Sequence, residues 1–210
     1  VEYYLHIVIV IGIYSILGSS LNLTLGYTGL LSVSHAAFYG IGAYTTALMT
    51  QELHLPFVVI LLCVMAFSGL LSIIVGVSSL RIRDDYFVIA SFAFQVIAFG
   101  LFYNLVSFTG GPMGLRGIPR PNIFGWTVNS HWEYLLLVVV LASMVLWACH
   151  RIAHSPFGRV LTAIREDETF ARAAGKNVSA YKLLIFMISA AMASVAGVIY
   201  AQYISFVDPT

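Results

Sequence analysis

Long stretches without a single charge, set against one basic cluster, constrain this chain more than any other feature. No Asp, Glu, Lys or Arg occurs in residues 3–51, 53–80, 86–115, 134–150 or 183–207. About 20 apolar residues suffice for a helix to cross a bilayer, so these stretches read as membrane spans. Six of the ten Lys and Arg residues fall in 151–182, and such a cluster marks the cytoplasmic face. With 60% hydrophobic and only 9% charged residues, a soluble fold of 210 residues could not hide its apolar surface. Lipid must be the solvent for much of it. Cys63 and Cys149 both sit in apolar stretches and read as small packing residues. The start at Val1 lacks the charged n-region, short apolar core and cleavage site of a signal peptide. A true first span, in a chain trimmed at its start, is therefore expected.

Five clear spans are expected, at about 3–25, 57–80, 87–108, 134–151 and 182–204. A sixth stretch, 26–51, opens with Gly26, Gly29, Ser32, Ser34 and His35 before its apolar residues resume. That opening is too polar for an uninterrupted lipid-facing helix. A broken or re-entrant helix is tolerated at membrane depth only where protein or water covers its backbone. The expected fold class is an all-α polytopic membrane protein of about six transmembrane helices, one of them broken or re-entrant. With 151–182 inside the cell, the loop 109–133 falls outside and Arg81-Ile82-Arg83 falls inside, as the positive-inside rule requires. Arg116 and Arg120 dissent, in the outer loop.

Small residues recur every four positions on three spans: Ser189, Ala193, Gly197 and Ala201; Ser68, Ser72 and Gly76; Gly18, Asn22 and Gly26. This spacing lets helix backbones approach closely in lipid. Bundle packing and a substrate pathway both fit it. In the basic loop, Ser155-Pro156 resembles a helix start and Gly175 a helix stop. Between them Val160, Leu161, Ile164 and Phe170 keep an approximate helical period. Arg159, Arg165, Glu166, Asp167, Glu168 and Arg172 form the polar face. Such a helix either rests on lipid headgroups or docks into a protein groove. The acidic run Glu166-Asp167-Glu168 would be repelled by an anionic leaflet and favours the groove.

Several blocks then become familiar in order. Leu21-Asn22-Leu23-Thr24-Leu25-Gly26-Tyr27-Thr28-Gly29 is followed by Ser34-His35-Ala36-Ala37-Phe38-Tyr39-Gly40-Ile41-Gly42-Ala43-Tyr44. Together they resemble the N-terminal signature of branched-chain amino-acid ABC importer permeases. Arg83-Asp84-Asp85-Tyr86-Phe87, Thr109-Gly110-Gly111-Pro112-Met113-Gly114-Leu115, and Ser155-Pro156-Phe157-Gly158-Arg159 through Ala163-Ile164-Arg165-Glu166-Asp167-Glu168 resemble later blocks of that family. The Gly-Gly-Pro block is most similar to the M-type subunit.

The resemblance implies one permease domain over 1–210 that forms a translocation path for branched-chain or related amino acids in the inner membrane of a prokaryote. It implies pairing with a related second permease and with two cytoplasmic ATPase subunits. A periplasmic or lipid-anchored binding protein would supply substrate. ATP and Mg would be used by the ATPases, with no cofactor bound by this chain and no nucleic-acid partner. Family members continue with further spans, so a C-terminally incomplete chain is expected. The loop 151–182 becomes a coupling region, in which Arg159, Ile164, Arg165, Glu166, Asp167, Glu168, Phe170, Arg172 and Gly175 are the candidate ATPase contacts. The family's Glu-Ala-Ala segment with its spaced glycine is not matched strictly, since Thr169 and Phe170 follow Glu168 and Ala173-Ala174-Gly175 come later. As a coupling element, a helix over 158–174 is expected to dock through Val160, Leu161, Ile164 and Phe170. Phe170→Ala and Gly175→Pro are then expected to uncouple transport more than Glu168→Ala.

The broken segment 28–44 with Asn22 is the candidate path. Asn22, Thr28, Gly29, Ser34, His35, Gly40 and Gly42 are its candidate residues, which equally well cap a short helix inside the bundle. Other chemistry is poorly represented. The glycine-rich 110–114 lacks the Gly-Lys-Ser/Thr of a phosphate loop. His150 and His154 lie four apart at a membrane boundary without further metal ligands. A membrane enzyme is disfavoured for want of paired acids or a nucleophile with its base. An ion-coupled secondary transporter is disfavoured because no carboxylate falls within a span. A urea or short-amide ABC importer shares much of the signature and stays open as the alternative substrate class.

Overall fold

The computed structural model describes residues 2–79, 84–123 and 125–209. The orientation check at Arg81-Ile82-Arg83 and the first residue of the Arg83–Phe87 block lie outside them. Among the described residues, five helices are long and apolar enough to cross a membrane. They are α1 (Glu2–Thr28), α3 (Phe57–Ser79), most of α4 (Asp84–Asn104), α6 (His131–Ala153) and α9 (Val178–Ile204). A further helix, α2 (His35–Glu52), is inserted between them. The break expected in 26–51 lies ahead of this helix: residues 29–34 are non-helical, and α2 itself is continuous.

The bundle is organised around α9, which packs against α1, α2 and α3, while α6 lies along α1. Close approach is made possible by glycine. A Cβ on Gly197 would lie 2.0 Å from the Tyr39 carbonyl oxygen, and one on Gly42 would lie 2.4 Å from that of Ser194. The two backbones therefore pack without intervening side chains, as small-residue spacing allows. Ser68 and Ser72 are fully buried, and a Cβ on Gly76 would meet Leu183 of α9 at 2.5 Å. Two of the three small-residue stripes thus serve packing. The third does not: Gly18 has nothing within 4 Å of a would-be Cβ, and Asn22 is exposed.

Large side chains such as Leu70, Ile74, Phe92, Ile97, Leu136 and Trp147 project from the rim, each more than half exposed. In water so much apolar surface would far exceed the few hundred Å² that a soluble monomer tolerates. On a membrane protein it is the lipid-facing belt. At one end, called here the hairpin end, lie α5 (Val106–Thr109), a 3-10 turn (Gly111–Met113) and, among the described residues, four short strands, three after the turn and one after α9. There β1 (Leu115–Arg116) pairs antiparallel with β4 (Phe206–Val207), and β2 (Asn122–Ile123) with β3 (Trp126–Thr127). A capping box opens α6. Ser130 Oγ accepts from the Trp132 amide at 3.4 Å, and Glu133 Oε2 accepts from the Ser130 amide at 3.2 Å. The opposite end, the basic end, carries α7 (Pro156–Glu166) and α8 (Glu168–Ala173).

Candidate functional site

The polar opening of the stretch 26–51 folds back into the bundle. After Thr28 the chain reverses at Gly29 (φ +72°), and His35 then reaches Ser189, about 16 Å along α9 from its first residue at a rise of about 1.5 Å per residue. Non-helical backbone at this depth must be paired by the protein itself, and nearby hydroxyls do this. The Leu30 amide donates to Thr28 Oγ1 at 3.3 Å, the Val33 amide donates to Ser91 Oγ of α4 at 3.1 Å, and the Ser32 and Ser34 hydroxyls share a bond of 2.9 Å.

Ser189 is the centre of a buried network linking three helices. Its hydroxyl donates to the Ser20 carbonyl at 2.5 Å, accepts from Thr24 Oγ1 at 2.7 Å, and lies 2.7 Å from His35 Nε2. Because the single Ser189 proton is used on Ser20, His35 must donate through Nε2–H. That tautomer leaves Nδ1 as an acceptor, and it has no partner among the described residues. Of the candidate path residues, Thr28, Ser34 and His35 are therefore brought together around the break. Asn22 instead faces outwards, its side chain filling the space that a Cβ on Gly26 would need. Gly29 is exposed at the reversal. Gly40 borders Phe102 of α4, and Gly42 is pressed against the α9 backbone.

At the basic end the expected start and stop both appear. Ser155 Oγ accepts from the Gly158 amide at 3.1 Å, with Pro156 in the first turn. Gly175 (φ +78°) ends α8. Its amide bonds to the Arg172 carbonyl at 2.9 Å and that of Lys176 to the Ala171 carbonyl at 3.1 Å, the pairing of a Schellman cap that favours glycine. The expected single helix over 158–174 is corrected to two. Asp167 is extended (φ −151°, ψ 101°), and its Oδ1 caps α8 by accepting from the Phe170 amide at 2.9 Å. A short carboxylate that can cap a backbone amide competes with helix continuation.

The outward docking role expected of Leu161 and Ile164 also fails, because both are buried within the chain, at 0% and 3% exposure. Leu161 belongs to the main core and Ile164 packs with Ala171 and Val178. Phe170 does face out, at 70% exposure, and Arg159, Glu166, Asp167 and Arg172 are exposed as well. Glu168 is half-buried. It accepts from Arg172 and, at 2.8 Å, from Lys182 Nζ, whose side chain is 6% exposed. Removing Glu168 therefore disturbs a buried cation, a larger role than the surface pairing read from the sequence.

The two candidate regions meet. Arg165 Nη1 donates to the Gly26 carbonyl in the last turn of α1, and its Cγ lies 3.4 Å from where a Cβ on Gly29 would be. The basic-end helices thus grip the chain just before the break. Ser20, Thr24, Ser91 and Ser189 were missed as partners of the break. Ser189 is visible in the sequence only as one member of a packing stripe, and nothing local marks Ser91.

Residues 3–210 match the family model of the branched-chain amino acid transport system / permease component. The high-affinity branched-chain amino acid transport system permease protein LivM of Salmonella typhimurium is 35% identical to this chain, over 94% of the chain and 52% of its own length. A probable branched-chain amino acid transport permease protein LivM of Methanocaldococcus jannaschii is 27% identical, over 91% and 65%. The LivH permease protein of the high-affinity branched-chain system of Escherichia coli is 26% identical, over 93% and 68%. No solved structure matches the chain. The chain spans about half the length of the first of these relatives, and its higher identity to LivM than to LivH agrees with the M-type resemblance of the Gly-Gly-Pro block. A match running through all the helices, from the start of α1 to the strand that follows α9, establishes that the chain belongs to the permease-component family of branched-chain amino acid transport systems.

Proposed function

We propose that this chain forms a permease subunit of an ATP-driven importer of branched-chain or related amino acids in the inner membrane of a prokaryote. The observation that carries the reading is the family match over residues 3–210, and the geometry supplies a mechanism. The basic end is cytoplasmic by its Lys and Arg content. Two separate ATPase subunits bind ATP and Mg and press on α7 and α8. The exposed Phe170, together with the exposed Arg159, Glu166 and Arg172, supplies the contact surface. Leu161 and Ile164 make α7 move as one body with the spans, and Arg165 pulls on the end of α1 where the chain breaks. A related second permease completes the path, and a binding protein delivers substrate to the hairpin end.

The test is reconstitution of the complete transporter with its ATPases and binding protein. ATP-dependent uptake of leucine, isoleucine or valine is expected. Uptake that follows an imposed ion gradient without ATP would overturn the reading, and competition by urea or short amides but not by leucine would move the substrate to that class.

A further inference from the structure

A cavity of about 790 Å³, lined almost wholly by apolar side chains, lies between α2, α3 and α4. It sits towards the hairpin end, bordered by Ile41 through Met49 on α2 and by Phe94 through Leu105 along α4 and just past its end. At about 1.5 Å per residue the α4 wall is about 16 Å long, close to half of the roughly 30 Å hydrocarbon core of a bilayer. That is the depth filled by the chains of one leaflet. The back of the cavity is closed by the buried Ile41, Tyr44 and Ala98, with the Tyr44 ring stacked on Phe102 at 4.5 Å between centroids. Its front is open: Cys63, Phe67, Leu101, Leu105 and Phe108 are exposed and continue the lipid-facing belt of Leu70 and Ile97. Only 17% of the most apolar stretch of α4 is buried by protein, so this helix is lightly backed where the cavity runs beside it.

Close-packed proteins do not leave a space of this size unfilled. Water needs two to four polar partners at each position, and this lining is apolar. Of its few hydroxyls, that of Thr109 is already directed at the Phe102 and Leu105 carbonyls, at 2.6 and 2.9 Å. A further helix is also a poor fit. Helices meet in lipid through small residues, and those of this protein do so at Gly42 with Ser194 and at Gly197 with Tyr39. The cavity instead presents Phe67, Leu71, Phe94, Leu101 and Phe102. A thin, flexible hydrocarbon chain entering from the side adapts to such bulky walls. We propose that the cavity is a lipid site, in which one acyl chain of a phospholipid of the hairpin-end leaflet lies between α4 and the α2–α3 pair. The exposed Tyr103 near the end of α4 stands at headgroup level, where tyrosine is favoured. The lipid has a structural consequence, because α4 also carries Ser91, whose Oγ accepts from the Val33 amide in the break at 3.1 Å. Bracing α4 thereby braces the cover of the break. The proposal depends on the membrane placement of the chain and not on what is transported.

The deciding experiment is photolabelling of the full-length protein, assembled with its partner subunits, in vesicles of phosphatidylethanolamine and phosphatidylglycerol. A trace of the phosphatidylethanolamine carries a diazirine partway along one acyl chain, and labelled residues are mapped by mass spectrometry. Labelling of Phe67 and Leu101 is expected to exceed by about tenfold, a preference equivalent to 1.4 kcal/mol, that of Ile11 on α1 and Val139 on α6. Both of those are exposed and lie on the same half of the bundle. Cys63→Trp fills the cavity from an exposed position and should remove the excess while leaving Ile11 and Val139 labelled as before. Leu101→Trp, on the opposite wall, repeats the test at Phe67 should the first variant fail to assemble. Equal labelling of cavity and control residues would mean that only passing bulk lipid touches these walls, and the site is overturned. Control residues labelled with the cavity unlabelled would mean that protein covers it, whether a second copy or another span, and would overturn it equally. An excess that survives both tryptophan variants would place the bound lipid elsewhere and overturn the assignment to this cavity.

Discussion

Two helices whose most apolar stretches have the same mean hydropathy, 2.2 in each case, occupy opposite places in this protein. Two thirds of the most apolar stretch of α9 is buried within the chain, against 11% of that of α6. Apolarity therefore distinguishes spans from loops but not the centre of a bundle from its rim. In lipid the surrounding tails are as apolar as leucine, so burying a large side chain against a neighbouring helix gains little. What separates the two helices is side-chain size and hydrogen bonding. Ser189, Ala193, Gly197 and Ala201 of α9 are buried, Gly197 directly against the Tyr39 backbone, whereas α6 turns Leu136, Met144 and Trp147 outwards.

The sharpest way to break this comparison is to add one methyl group to each kind of helix face. Gly197→Ala places a Cβ 2.0 Å from the Tyr39 carbonyl, a backbone atom that cannot swing away. A loss of about 3 kcal/mol or more is expected, the upper end for overpacking. Gly18→Ala, with open space around it, is expected to be neutral or to gain up to about 1 kcal/mol from helix propensity. Unfolding in a graded detergent titration measures both, and equal stability of the two variants would defeat the comparison.

Next in size is Ser189→Ala. It leaves Thr24 Oγ1 and His35 Nε2 without their shared acceptor, a cost of about 1–3 kcal/mol for stranded buried groups. The same titration reads it, and no change would mean that the network contributes nothing to holding α1, α2 and α9 together.

Gly175→Pro should cost more than about 1 kcal/mol, because proline cannot adopt φ +78° and removes the amide that bonds to Arg172. Its effect is local, so faster protease cleavage near residues 173–177 is the expected signature. Cleavage at the wild-type rate would show that the cap is dispensable.

The smallest effect on stability belongs to Phe170→Ala, within about 0.5 kcal/mol as for other exposed positions. Under the importer reading its effect on ATPase capture is nonetheless large. An exposed aromatic side chain at an interface is a common energetic anchor, while exposed ion pairs contribute only about 0–1 kcal/mol. Pull-down of the ATPase separates the two quantities, and full capture by the alanine variant would place the docking surface elsewhere on the basic end.

Local chemistry was legible in the residues wherever the chain answers to its own neighbours. The uncharged stretches mark the spans, Ser155-Pro156 starts α7, and Gly175 stops α8. The stop inside the expected helix was legible in principle, since Asp167 followed by Glu168 is a helix-start pattern. An apparently continuous apolar period masked it. The destinations of Leu161 and Ile164 were not legible, because an amphipathic helix on a membrane protein can turn its apolar side to a partner, to headgroups or to its own spans with the same sequence pattern.

The sequence by itself determined that this chain lives in lipid, where the five most apolar spans fall, where the charged end lies and which family it belongs to. These follow from composition, segment length and ordered blocks of residues, which do not depend on the fold. Only the tertiary structure decided that α9 is central, that Ser189 ties the break to α1, that Arg165 grips Gly26, and that Gly197 meets the Tyr39 backbone. Each of these joins residues far apart in the chain through a hydrogen bond or a close backbone approach. Hydropathy carries no information about such pairings, because lipid makes every apolar face of a span equally acceptable until the helices have chosen their neighbours.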